Sequence, residues 1–102
     1  MALGYTKFKP QRKITPETSE KQAIKRYLAF KGIFFYHNLA GLGVYPGISD
    51  LTAIKDGKVY QIEIKAPNGR QSENQKMFQS LWEENGGNYI IGGIDEVMEI
   101  FP

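Results

Sequence analysis

Three ionisable side chains in the stretch 47–65, Asp50, Glu63 and Lys65, have the types and the spacing to do chemistry together. Two runs rich in Ile, Val, Thr and Tyr are divided by Asp56 and Gly57, a dipeptide that accepts positive φ and suits the two-residue turn of a β-hairpin. With Lys55 and Lys58 flanking the turn, Ile54 faces Val59 and Thr52 faces Gln61, and the same count sets Asp50 opposite Glu63. Period-two alternation puts Lys65 on the face of Glu63. Two carboxylates opposed across a ladder repel each other, and folding a hairpin does not require them there. A divalent cation resolves the conflict. Mg²⁺ and Mn²⁺ take oxygen ligands from one or two carboxylates plus water and phosphate, and an ammonium two residues along is placed to hold a phosphate oxygen or a hydroxide. The plainer alternative is a solvated strand end carrying unrelated surface charges. The isoleucines on both sides of Glu63 speak against it, because they imply a buried strand.

These residues resemble the motif of the PD-(D/E)XK nuclease superfamily, and within it the VRR-NUC domain of small phage and bacterial proteins and the archaeal Holliday-junction resolvases. The resemblance covers most of the chain: Ser49-Asp50, then Glu63-Ile64-Lys65, with Glu20 upstream on a helix and Gln75 downstream on another. Ser49 stands where the family usually has proline, a departure that removes no metal ligand. The resemblance implies a restriction-endonuclease-like core and a metal-dependent, structure-specific DNA endonuclease, of a Holliday-junction-resolving type acting as a homodimer. It implies Mg²⁺ or Mn²⁺ held by Asp50, Glu63, the Ile64 carbonyl and Glu20, with Lys65 at the attacking water and Gln75 orienting Lys65 or the phosphate. The alternatives within this fold are a flap- or nick-directed nuclease and a DNA-binding module without catalysis.

The elements that must position these groups are legible in turn. Thr15 and Pro16 open a first helix and Gly32 ends it. Ile24, Tyr27 and Leu28 form its apolar stripe, with Glu20 four residues before Ile24 on the same stripe. That carboxylate is either a helix-terminal acid paired with Lys21 or Lys25 or, as the resemblance implies, a group reaching the metal site through a water. A strand over residues 33–38 is continuously aromatic, which predicts burial or a partner interface. His37, the one histidine, reads as a structural residue at that strand's end. Residues 39–48 form a loop whose glycines let the backbone turn close to the site. Ser72 and Gln75 match a capping box opening a second long helix, and Gln75 lies on the face of Phe78 and Trp82. Residues 88–93 read as a short buried strand, and Asp95 as the cap of a last helix with Val97, Met98 and Phe101 inward. The class is α/β, a small mixed β-sheet flanked by helices in the order α-β-β-β-α-β-α. The hairpin is antiparallel, and the last strand lies parallel to the third after a right-handed crossover.

A chain of 102 residues is one domain with a real core, read as a basic N-terminal arm over residues 1–16 and a nuclease domain over 17–102. Cysteine is absent, which excludes disulfides and thiolate zinc sites. No apolar leader or membrane span is visible, so the expectation is a soluble intracellular protein, cytoplasmic in a bacterial or phage-infected cell. The net charge of +2 hides an asymmetry. Lys7, Lys9, Arg12 and Lys13 fall in the arm with no acid, leaving nine basic residues against eleven acidic ones in the rest. With Tyr5 and Phe8 interleaved, the arm suits a phosphate backbone, and Arg70 joins it as a DNA-contacting residue. From Glu83 onward every charged side chain is acidic, which makes that end a poor DNA-facing surface. No organic cofactor is expected.

Overall fold

In the computed structural model, which describes residues 14–102, Asp56 and Gly57 both take positive φ, 51° and 79°. Those are the signs the two-residue hairpin turn demands. The turn joins β2 (Leu51–Lys55) to β3 (Lys58–Ile64), and the antiparallel pairing runs from Lys55 opposite Lys58 to Leu51 opposite Ile62 in the expected register. The ladder then breaks. Asp50 N–H donates to the Ile62 carbonyl at 3.0 Å, so Asp50 and Leu51 both address Ile62, two residues against one in the manner of a β-bulge. The expected ladder pair of Asp50 with Glu63 is therefore not made. The hairpin ends one residue short of it, and Asp50 is re-aimed.

The remaining strands extend this hairpin on both sides. β1 (Phe34–His37) pairs antiparallel with β2, β4 (Asn88–Gly92) pairs parallel with β3, and the sheet order is β1-β2-β3-β4. With α1 (Pro16–Phe30), α2 (Glu73–Glu84) and α3 (Ile94–Ile100), the element order is α-β-β-β-α-β-α, a small α/β fold with a mixed sheet. One face of the sheet presents Leu51, Ala53, Ile62, Ile64 and Ile90, which pack with Ile24 and Leu28 of α1, Val97 of α3, and Phe101. The other face carries Thr52, Gln61, Glu63 and Tyr89. α2 covers its β4 side, where Phe78 meets the Tyr89 ring at 6.3 Å, and Thr52 and Gln61 in the middle of the face are buried as well.

That half-covered face explains a departure at β1. Of burial or a partner interface, the two expectations its aromatic character carries, burial within the chain is met by Phe35 alone: Phe34 is 64% and Tyr36 49% exposed. β1 is an edge strand far from α2, so alternate residues have nothing to pack against. The helix ends follow local chemistry. Thr15 caps α1 by accepting the Thr18 N–H at 3.1 Å. α3 starts two residues earlier than expected: Gly93, not Asp95, holds the cap position, Asp95 lies within the first turn, and Met98 is 44% exposed. Among the described residues no helix is long and apolar enough to cross a membrane. Lys7, Lys9, Arg12 and Lys13 lie outside the described residues.

Candidate active site

The bulge leaves Ile64 N–H without a ladder acceptor, and the Asp50 carboxylate supplies one: Oδ2 accepts that N–H at 2.7 Å. Oδ1 faces Lys21 Nζ of α1 at 3.7 Å. Asp50 is held in place from behind by a buried polar network. Asn38 donates its N–H to the Asp50 carbonyl and its side-chain amide to Ser49 and Gln61, while Gln61 donates to Thr52. Ser49 Oγ donates to Gln61 Oε1. A serine thus stands where a proline would have offered no donor. In loop 39–48, Gly47 (φ +80°) lies so close to the Asn74 backbone at the start of α2 that a β-carbon has no room.

Glu63 is fully buried. Its Oε1 accepts from the Tyr89 hydroxyl at 2.5 Å and from Gln71 Nε2 at 3.1 Å. Its Oε2 is buried and has no hydrogen-bond partner; the nearest cation is Lys65 Nζ at 3.6 Å, too far for a hydrogen bond. Leaving such an atom unsatisfied costs on the order of 1–3 kcal/mol, so this oxygen is fitted to something the protein chain itself does not provide. Lys65 Nζ donates to Gln75 Oε1 at 3.1 Å, and the same oxygen accepts the Ser72 N–H at 2.8 Å. The capping box and the lysine contact are thus one arrangement, in which the start of α2 holds the ammonium. Burial pushes the Tyr89 phenol above its ordinary value, and its bond to Glu63 and the charges of Glu63 and Asp50 push it further the same way. Tyr89 therefore remains an O–H donor to Glu63.

Asp50, Glu63, Lys65 and Gln75 are brought together. Glu20 is brought only to the margin. It lines a cleft of about 400 Å³ with Lys65, Pro67 and Gly92, but its Oε1 accepts the Ile94 N–H at 2.7 Å, tying α1 to the start of α3. Arg70 is exposed in the turn before α2, and His37 is exposed on the edge strand. Among the described residues no group of three or more His, Asp or Glu side chains converges to hold a metal ion. The oxygen donors the structure does offer are the two carboxylates of Asp50 and Glu63. Hard oxygen donors in that number, one of them orphaned, fit Mg²⁺ or Mn²⁺, which keep several positions for water and phosphate.

Three participants escape the sequence. Lys21 reads as a helix-surface partner of Glu20 but reaches Asp50. Gln71 precedes a helix cap and follows no period. Tyr89 meets Glu63 only because β4 lies parallel to β3 with Gln61 beside Tyr89, a pairing that topology decides. Comparison with protein-family models, with curated proteins and with solved structures finds no match to this chain.

Proposed function

We propose that this chain is a Mg²⁺- or Mn²⁺-dependent endonuclease that hydrolyses DNA phosphodiesters, with branched DNA, four-way junctions foremost, as substrate and a homodimer as the working form. The observation that carries the activity is the fully buried Glu63, with one oxygen fixed by Tyr89 and Gln71 and the other without a hydrogen-bond partner. A protein that only bound DNA would gain nothing from a buried carboxylate beside Asp50, since both repel phosphate.

In this mechanism Asp50, Glu63 and the Ile64 carbonyl would hold the ion, with Glu20, on the wall of the neighbouring cleft, as an outer contributor. When bound, the ion neutralises phosphate charge and makes water more acidic. Lys65 positions the attacking water and stabilises negative charge as it grows on the phosphoryl oxygens. Gln75 keeps the ammonium aimed by accepting a hydrogen bond from it. Tyr89 and Gln71 orient Glu63 so that Oε2, not Oε1, is presented. The test is incubation with linear, nicked, flapped and four-way DNA in Mg²⁺, Mn²⁺ or chelator. Cleavage of branched DNA that chelator abolishes is the expected result. No cleavage of any substrate in either metal, by folded protein, overturns the activity.

A further inference from the structure

Each carboxylate of the site has one oxygen fixed by uncharged donors and a second faced by an ammonium. For Glu63 these are Tyr89 and Gln71 on Oε1, and Lys65 at 3.6 Å from Oε2. For Asp50 they are Ile64 N–H on Oδ2, and Lys21 at 3.7 Å from Oδ1. The two lysines come from different parts of the chain, the end of β3 and α1, yet stand in the same relation to the two oxygens that would receive a cation. We propose that Lys21 is a second phosphate-binding residue: it neutralises Asp50 in the metal-free protein and passes to a DNA phosphate when a divalent cation takes Oδ1. The inference rests on the nuclease reading.

The separation decides that the exchange is easy. At 3.7 Å, with side chains 38% and 27% exposed, the Lys21–Asp50 contact is a charge pair without a hydrogen bond, of the weak and readily exchanged kind. A divalent charge on Oδ1 repels the ammonium, and the flexible lysine stem lets it swing to the nearest anion, which in the complex is the DNA backbone. Lys21 therefore competes with the metal and cooperates with the substrate. A purely structural lysine does neither.

The test uses the whole chain as wild type, Lys21→Met, Lys21→Arg and, as a control for net charge, Lys31→Met at the far end of α1, about 15 Å away. Mn²⁺ affinity is measured by calorimetric titration without DNA, and four-way-junction affinity in Ca²⁺ by fluorescence anisotropy across a salt series. Lys21→Met is expected to tighten Mn²⁺ about threefold, and to weaken junction binding several-fold with a salt slope shallower by about 0.9. Lys21→Arg is expected to behave as wild type, and Lys31→Met to leave Mn²⁺ affinity unchanged. Mn²⁺ binding that is present but unmoved or weakened in Lys21→Met overturns the role of Lys21 alone. An absence of Mn²⁺ binding by wild type overturns the nuclease reading and this inference with it.

Discussion

Glu63 is fully buried where the chain gives hydrogen bonds to only one of its two oxygens. Lys65 is close enough to balance charge and too far to close the hydrogen bond. If Lys65 serves the transition state, Lys65→Ala lowers the cleavage rate by at least about a hundredfold while circular dichroism and junction affinity stay near wild type. An unchanged rate in a preparation free of contaminating nuclease removes the mechanism. The carboxylates make a second prediction. Glu63→Gln and Asp50→Asn weaken Mn²⁺ binding, yet in chelator their melting temperatures equal or exceed wild type, because each removes one of two neighbouring negative charges and retains an oxygen for its neutral donors. Lys65 still has Gln75 as partner. A drop of more than about 5 °C for both variants, roughly 1 kcal/mol in a domain of this size, assigns the carboxylates to structure instead.

At the scale of elements, Tyr89 joins β4 to β3 through Glu63, and that link has a pH signature. The phenol is raised above its unfolded value of about 10. Its contribution is therefore complete below pH 10 and is lost as pH rises beyond it, because the unfolded chain releases the proton first. Tyr89→Phe lowers stability at pH 7 by about 1 kcal/mol through the missing hydrogen bond, and its denaturant midpoint falls less steeply than wild type between about pH 9.5 and 11. Parallel slopes show that the phenol does not couple to folding. The same link marks how far the sequence could be read. The D-G turn fixes the register from Lys55 and Lys58 to Leu51 and Ile62, because a two-residue turn permits no other count. Capping residues disclose α1 and α2, and the helix between β3 and β4 implies the parallel pair. The bulge at Asp50 has no local signature, since the residues bonded around it, Asn38, Ser49 and Gln61, come from three separate parts of the chain. Glu20 marks a limit of another kind: the helical period turns it inward, but period says nothing of the Ile94 N–H that its Oε1 accepts.

At the scale of the whole molecule, one chain supplies one site, and resolving a four-way junction takes two symmetric incisions. A two-fold dimer provides both through an isologous interface. The chain has thirteen aromatic residues, and dense packing inside a monomer would be reason enough for them if all were inside. They are not. Phe34 and Tyr36, with rings 6.0 Å apart, stand beside Ile54 on the uncovered half of the second sheet face, an apolar area of the kind that partners cover. We therefore propose that face as the dimer interface. Light scattering at micromolar concentration gives twice the chain mass for wild type and the single mass for Phe34→Asp/Tyr36→Asp, which no longer makes paired incisions in junctions while keeping single cuts on flaps. Deleting residues 1–13, and with them Lys7, Lys9, Arg12 and Lys13, lowers junction affinity and flattens its salt dependence by about 0.9 for each phosphate the arm neutralises. A wild-type chain that scatters as a monomer and cuts single flaps faster than junctions defeats the dimer and the junction preference together, while leaving Asp50, Glu63 and Lys65 their place in the chemistry.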